Sequence, residues 1–253
     1  MPIKRSNIAR ANAETWSLVG GIRNIYAEQG VQQYYELRGK EYRNPHFPMM
    51  KEVFPKMLNE FIVSIVMKDK LVAKARSVDD ADDADDDNST TAQTMTTLKM
   101  LDFSCGAGEM TKIVLQWSLK RDDVAILAVG ADPYTREAFK EEVGDGIECK
   151  SWSFQDVCNG AIDDEDELDC DDCDCDDARG KKFDFVIISY AIHLLEASLE
   201  YNFYNALAKK TRYLVIVSPT KNKGLIENDS LGFRLVRYES EMKIHVRVYE
   251  SLL

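Results

Sequence analysis

Residues 101–111 read LDFSCGAGEMT, and this stretch decides the fold prediction. An apolar segment over 98–103 runs into a turn with two glycines, and helical periodicity follows over 110–117. Because glycine has no Cβ, Gly106 and Gly108 allow a ligand to lie against the backbone, and the next helix offers free N–H groups. A tight strand–helix turn without a ligand uses the same residues, so the glycines alone leave both interpretations open.

A carboxylate follows the next apolar segment. Asp132 comes directly after residues 124–131, about 25 residues beyond the glycine turn. An acid at this place can accept hydrogen bonds from both ribose hydroxyls of a nucleoside ligand. It can equally cap the helix predicted over 135–143, and Asp132 can do both.

A second carboxylate, Asp156, lies beyond the end of a segment predicted as the third strand, 147–154. A carboxylate there can accept a hydrogen bond from an adenine amino group, and Phe154 can flank the ring. Taken alone, Asp156 is a loop aspartate of little meaning.

Strands and helices alternate along the rest of the chain. Further strands are predicted at 183–189, 213–217, 232–238 and 242–249, and a helix at 197–209. In the last strand, apolar and basic side chains alternate, which predicts one wet face: Met242, Ile244, Val246 and Val248 against Lys243, His245 and Arg247. Alternation that ends in two adjacent strands predicts a mostly parallel sheet with an antiparallel edge.

Composition shifts divide the 253 residues into three parts. Residues 1–78 carry an apolar stripe at helical spacing, which predicts a helical cap or lid. Residues 79–97 are acidic and polar, which predicts a flexible linker. The third part, 98–253, contains an acidic insertion over 160–180.

The net charge of −12 is unevenly distributed. Residues 79–87 and 163–177 together hold 18 acids and no base, so 26 acidic and 32 basic side chains remain elsewhere, a balance of +6. An anionic partner is therefore not excluded by composition.

The glycine turn, Asp132 and Asp156 occur in an order and at spacings that resemble the class I S-adenosylmethionine-dependent methyltransferases. The resemblance covers about residues 98–253 and is sharpest in LDFSCGAG and GADPYT. It implies an α/β fold: a three-layer Rossmann-like sheet of order 3-2-1-4-5-7-6 with strand 7 antiparallel, here with the N-terminal helical cap. The first glycine of the family's turn is Ser104 here. The third glycine of a dinucleotide-binding G-x-G-x-x-G motif is missing, which disfavours a dehydrogenase.

The resemblance also implies a cofactor site for S-adenosylmethionine. Asp102, Gly106 and Gly108 would lie along its methionine part, Asp132 would hold the ribose, and Phe154, Gln155 and Asp156 would meet the adenine. Ser104, Pro133 and Ser189 complete the expected cofactor-binding set.

The loop after the fourth strand faces the methyl group in this family, and it contains the catalytic candidates. His193 can accept a proton from the attacking nucleophile, because a neutral imidazole titrates near pH 7. Tyr190 is the second candidate, as an orienting hydroxyl. Packing roles for both side chains remain open, because many methyl transfers need only proximity and alignment.

The lid candidates are Tyr35, Tyr42, Arg43 and His46, for which ordinary aromatic packing is the alternative. Lys221 and Lys223 follow the fifth predicted strand, where family members build substrate pockets. We expect them instead to be solvated charges on a loop.

The six cysteines follow no disulfide pattern, and a reducing, cytoplasmic location is expected, with the nucleus still open. Cys170, Cys173 and Cys175 have spacing that can share a metal, but the surrounding aspartates disfavour thiolates, so no metal is expected.

The resemblance therefore implies methyl transfer from S-adenosylmethionine to an O, N or S nucleophile, and a small molecule is the leading acceptor class. No membrane partner is expected, since the longest strongly apolar stretch, 61–67, is far short of a span. A protein or RNA acceptor and a non-catalytic binding module that retains the fold are the alternatives.

Overall fold

The computed structural model of the chain describes residue 35 and residues 43–68, 95–163, 181–221 and 229–253. Tyr42, Lys223, almost all of the predicted linker, most of the acidic insertion and Cys170, Cys173 and Cys175 lie outside these residues.

Seven strands form a single mixed sheet. They are β1 (Thr96–Phe103), β2 (Val124–Ala131), β3 (Cys149–Lys150), β4 (Phe183–Ser189), β5 (Thr211–Ser218), β6 (Phe233–Glu241) and β7 (Ile244–Ser251). Their spatial order is β3-β2-β1-β4-β5-β7-β6, and β7 runs antiparallel to β5 and β6. The predicted fold class and strand order are confirmed.

Helices cover both faces of the sheet. They are α1 (Phe47–Leu58), which continues as a π-helix (Asn59–Met67), α2 (Glu109–Ser118), α3 (Arg136–Val143), α4 (Phe154–Cys158) and α5 (Glu200–Lys210). Short 3₁₀ helices occur at Ile192–Leu194 and Asp229–Leu231. On one face, α1, the π-helix and α2 share an apolar core with β1, β4, β5 and β7. On the other face, the core contains residues of α4 and α5.

The described N-terminal helices are part of the first core. Phe61 of the π-helix meets Phe185 of β4 and Tyr213 of β5 edge-on, with ring centroids 5.8 and 5.9 Å apart. Trp117 Nε1 of α2 donates a hydrogen bond to Asn59 Oδ1 at 2.8 Å. These contacts place residues 43–68 directly on the sheet.

Two local predictions were wrong. The third strand is not 147–154: it comprises two residues, and Ser153 starts helix α4 with a capping box. β7 has no wet face, because six of its eight residues are buried and they include residues on both faces of the strand. Arg247, which the alternation placed on the wet face, is 2% exposed.

None of the described helices has the length and apolar character needed to cross a membrane.

Candidate functional site

The candidate site lies at the carboxyl ends of the parallel strands. The strand order reverses between β1 and β4, and open α/β sheets bind ligands outside the strand ends at such a point. Ser104, Asp132 and Tyr190 directly follow β1, β2 and β4, so the topology brings the predicted residues to one edge.

The turn after β1 requires left-handed backbone at three positions. Ser104, Gly106 and Gly108 have φ values of 58°, 59° and 82°. Ser104 therefore has a left-handed backbone conformation that glycine adopts more easily than serine. Backbone strain of this kind clusters at functional sites. A Cβ on Gly108 would lie 2.3 Å from Val143 Cγ2, so this glycine also allows α3 to approach the turn.

Asp102 is a fully buried carboxylate beneath the turn. Its Oδ2 accepts hydrogen bonds from Thr111 N at 3.0 Å and Thr111 Oγ1 at 2.7 Å. Its Oδ1 is buried and has no hydrogen-bond partner among the described residues. Burial raises the pKa of Asp102 to about 7, against the opposing hydrogen bonds from Thr111.

Asp132 binds three backbone N–H groups. Its Oδ1 accepts from Tyr134 N at 2.9 Å and Thr135 N at 3.1 Å, and its Oδ2 accepts from Gly106 N at 3.3 Å. The side chain thus joins the glycine turn to the start of α3. Burial raises its pKa, and the hydrogen bonds reduce that shift.

Glu109 is a third buried acid at this place, and the sequence analysis missed it. Its Oε1 accepts a hydrogen bond from Asn44 N at 2.7 Å, and burial raises its pKa. Its position in the first turn of the helix after the glycines was the available signal, because helix N-termini favour acids.

The three residues expected at the adenine are engaged within the protein. The Phe154 ring packs against Phe103 and Phe203, with centroids 5.1 and 5.0 Å apart. Gln155 is exposed and donates to Asn159 Oδ1 at 3.0 Å. Asp156 Oδ2 accepts from Ser153 N at 2.8 Å and Ser153 Oγ at 2.6 Å, which closes the capping box of α4. Pro133 and Ser189 are both partly buried, next to Asp132 and at the end of β4 respectively.

Tyr190 has an unusual conformation at the end of β4. Its φ is 59°, and its backbone N–H donates to Val217 O at 2.8 Å. The hydroxyl is buried and has no hydrogen-bond partner among the described residues. Burial raises the pKa of the phenol to about 12, so Tyr190 remains protonated at neutral pH.

Two of the lid candidates stack on residues that follow β2 and β4. The His46 ring lies on Tyr190 with centroids 4.7 Å apart and planes at 10°. The Tyr35 ring lies on Tyr134 with centroids 5.8 Å apart and planes at 9°. Burial lowers the pKa of His46, which favours the neutral form of the stacked imidazole.

The third described lid candidate, Arg43, forms an ion pair instead. Its Nη2 lies 3.4 Å from Glu142 Oε1 of α3. The next residue, Asn44, bonds to Glu109, so the segment that leads into α1 is attached to both helices that flank the glycine turn.

His193 lies in the 3₁₀ helix Ile192–Leu194, and its side chain is exposed. It is therefore not packed beneath the following helix. Within the described part of the chain, no group of three or more histidine, cysteine or acidic side chains could hold a metal ion.

Comparison with known proteins gives a curated relative described as uncharacterized and distant structural likenesses. No protein-family model matches the chain. A protein of Schizosaccharomyces pombe described as uncharacterized is 25% identical, over 81% of this chain and 76% of its own length.

Two solved structures illustrate the structural likeness. Magnesium protoporphyrin IX methyltransferase from Synechocystis PCC 6803, with bound S-adenosylmethionine, is 15% identical over 91% of this chain and 94% of its own, with a TM-score of 0.39. An O-methyltransferase family protein from Burkholderia thailandensis is 13% identical over 61% of this chain, with a TM-score of 0.43, and the chain spans about half (51%) of its length. At such scores the likeness identifies no reaction and no acceptor.

The fold is instead identified by the sheet itself. The strand order β3-β2-β1-β4-β5-β7-β6, with an antiparallel β7, is the order that the resemblance of residues 98–253 implies. The chain has the fold of the class I S-adenosylmethionine-dependent methyltransferases.

Proposed function

We propose that the protein transfers a methyl group from S-adenosylmethionine to an O, N or S nucleophile. The observation that carries the proposal is a set of three buried carboxylates, Asp102, Glu109 and Asp132, around a strained glycine turn at the switch point of the sheet. Buried acids are costly unless a positive charge or hydrogen-bond donors compensate them.

The donor set fits this cofactor. S-adenosylmethionine carries an ammonium and a sulfonium, and Asp102 Oδ1 is a buried acceptor without a partner among the described residues, suited to an ammonium. Asp132 Oδ2 accepts one long hydrogen bond, at 3.3 Å from Gly106 N, and has capacity for a ribose hydroxyl. When bound, the cofactor supplies a methyl group on a positively charged sulfur, which the acceptor's nucleophile attacks in line.

The chain's own residues would close the site. Asn44 bonds to Glu109 and His46 stacks on Tyr190, so the segment before α1 covers the edge on both sides of the switch point. Such closure excludes water and aligns the nucleophile, which can supply much of the rate acceleration. A covered edge also favours a small-molecule acceptor over a macromolecular one.

Tyr190 would orient the acceptor, because its protonated hydroxyl lies at the end of β4 without a partner among the described residues. His193 follows in an exposed 3₁₀ turn, where it can accept a proton and pass it to solvent. For Phe154, Gln155 and Asp156, we propose a structural role around α4 that leaves only their backbone near the adenine.

The test uses S-adenosylmethionine labelled in the methyl group, incubated with the protein and a cell extract that is then separated into small molecules, protein and RNA. We expect label in the small-molecule fraction and loss of labelling with Asp132→Asn. The His193→Ala variant should lose activity most strongly at neutral pH and above, where a histidine base is unprotonated, and least at low pH, where the imidazole is already protonated and cannot accept a proton. Label in protein or RNA that falls steeply with salt would favour a macromolecular acceptor. Cofactor binding without any labelling would favour a non-catalytic module.

A further inference from the structure

The two edges of the sheet differ in the length of strand that they present. β3 forms one edge and comprises two residues, and a short edge strand is a common protection against further pairing. β6 forms the other edge and is, at nine residues, the longest of the described strands. It pairs with β7, and among the described residues no strand lies on its other side. β6 therefore presents a row of backbone N–H and C=O groups for pairing.

The side chains of β6 leave this edge accessible. Edge strands are commonly shielded by proline, by lysine or by a short length, and the sequence FRLVRYESE over 233–241 has none of these. Apolar side chains are exposed instead, with 43% of Leu235, 41% of Val236 and 42% of Tyr238 accessible. A β-bulge between Leu235 and Arg237 interrupts the strand once, and residues 237–241 keep a regular register with β7.

The charged side chains of β6 occur in a self-complementary order. Arg234 and Arg237 lie in the first half of the strand. Glu239 and Glu241 lie in the second half. In an antiparallel pair of two copies, the basic half of each strand lies opposite the acidic half of the other, whereas a parallel pair would place like charges together. The charge order therefore favours an antiparallel second copy of this chain as the occupant of the edge.

The two faces of β6 fix the register of such a pair. Tyr238 lies on one face of the strand, and Arg237 and Glu239 lie on the other. With Tyr238 opposite its own copy, Arg237 lies opposite Glu239 of the second copy. Because the bulge adds one residue to the strand, Arg234 then lies opposite Glu241 of the second copy. Each contact occurs twice about a two-fold axis, so four oppositely charged pairs surround the two Tyr238 rings.

These charged side chains also have ion-pair partners in their own chain: Arg234 with Glu250, Lys56 with Glu241, and Arg237 with both Glu60 and Glu239. Arg234 and Glu241 remain exposed within these pairs, with 57% and 44% of the side chain accessible. A guanidinium has five N–H donors and a carboxylate accepts several hydrogen bonds, so both side chains have capacity for a second partner. Surface ion pairs of this kind contribute little to the stability of one chain and can be rearranged.

We propose that two copies of this chain associate through β6, antiparallel about a two-fold axis at Tyr238, so that the two sheets join into one. The assembly closes at two copies, because the pairing occupies the β6 edge of each. β6 runs in the same direction as β5, and its copy runs in the opposite direction. The two candidate sites therefore lie at opposite edges of the joined sheet. This association does not depend on the proposed methyl transfer.

Sedimentation velocity of the full chain over a concentration series tests the proposal. We expect a reversible change from one copy to two as the concentration rises, without larger species. Leu235→Lys should weaken the association at least about tenfold, because the lysine enters the two-fold interface twice. Leu119→Lys is the matched control, since Leu119 is an exposed leucine at the end of α2, and it should leave the association unchanged.

A pair of charge reversals makes the test specific for the antiparallel register. Arg234→Glu alone and Glu241→Arg alone should each weaken the dimer, because each places like charges opposite one another twice. When the two variants are mixed in equal amounts, they should form a dimer with each other, since every contact between positions 234 and 241 then joins opposite charges. Mixing would not reverse an effect on the fold of a single chain.

The proposal is overturned if the wild-type chain stays a monomer at every concentration, or if a dimer persists equally in Leu235→Lys and Leu119→Lys. Failure of the two mixed variants to associate would overturn the antiparallel register. If a variant does not fold, amide hydrogen exchange of the wild-type chain decides the question. Exchange over residues 234–241 should slow as the concentration rises, and exchange that does not depend on concentration would overturn the pairing.

Discussion

At the scale of single residues, the molecule concentrates buried acidic side chains at one place. Asp102, Glu109 and Asp132 are buried, and burial raises the pKa of each. Hydrogen bonds from backbone N–H groups offset only part of that cost. Three such acids beside a strained turn cost stability, and we propose that a cationic ligand offsets this cost when it is bound.

Asp132→Asn should weaken binding of S-adenosylmethionine by about 1.5–3 kcal/mol, the size of a lost hydrogen bond to a charged group. Calorimetric titration measures the change, and thermal unfolding checks that the variant is folded. Asp123 provides a matched control, because it lies at the opposite end of β2 from Asp132. Its Oδ2 pairs with Arg121 Nη2 at 2.5 Å. Equal affinity for Asp132→Asn and the wild type would remove the ribose contact from the account.

The stability of the protein should fall as pH rises through the range where Asp102 titrates. Its pKa is 3.8 when unfolded and about 7 when folded, so the native state binds more protons between these values. The free energy of unfolding therefore decreases from about pH 4 to about pH 7, by at most about 4 kcal/mol from this group. Urea denaturation across this range should show a smaller fall for Asp102→Asn. Parallel curves for the two proteins would mean that Asp102 is ionised throughout.

At the scale of elements, hydrophobic patterning predicted the central strands well. β1, β2, β4 and β5 are apolar segments bounded by turn residues, and their alternation with helices predicts that they run parallel, whereas the strand order is implied by the resemblance to the methyltransferases. The third strand was overpredicted, because weak alternation over 147–154 does not reveal that Ser153 and Asp156 form a capping box. The wet face of β7 was wrong for a related reason: period-2 alternation marks a polar row, and a polar row can be buried.

Helix α3 depends on the absence of a side chain in the glycine turn. Gly108→Ala should cost at least about 2 kcal/mol of unfolding free energy, because its φ of 82° is unfavourable for alanine and its Cβ would collide with Val143 and Phe139.

Gly146→Ala is the control for this substitution, since no atom lies within 4 Å of a Cβ at that position. It should leave the unfolding free energy unchanged or raise it by about 0.4–1 kcal/mol. Chemical denaturation of both variants gives the comparison. Similar costs at the two glycines would show that α3 is free to move away from the turn.

At the scale of the whole molecule, the described N-terminal residues connect the core to the site. Residues of α1 and the π-helix fill one face of the sheet, and the segment just before α1 reaches the glycine turn and Tyr190. The sequence predicted Tyr35, Arg43 and His46 as lid residues. It did not predict the contact of Asn44 with Glu109, which joins residues 65 positions apart through a backbone N–H and leaves no pattern in the sequence.

His46→Ala should loosen this connection. Loss of the stack on Tyr190 removes about 0.5–1.5 kcal/mol, so amide hydrogen exchange over residues 44–50 should accelerate and affinity for S-adenosylmethionine should fall several-fold. Lys51→Ala, at an exposed position of α1, should change neither quantity. If amide exchange accelerated and the affinity for S-adenosylmethionine did not change, the N-terminal segment would have no part in cofactor binding.

The central claim is that the buried acids around the glycine turn bind S-adenosylmethionine. Calorimetric titration of the purified protein tests this claim most directly. We predict micromolar binding of S-adenosylmethionine and S-adenosylhomocysteine, no binding of NAD, and loss of affinity in Asp132→Asn. Failure of the wild-type protein to bind either methionine compound, with its fold intact, would contradict the account.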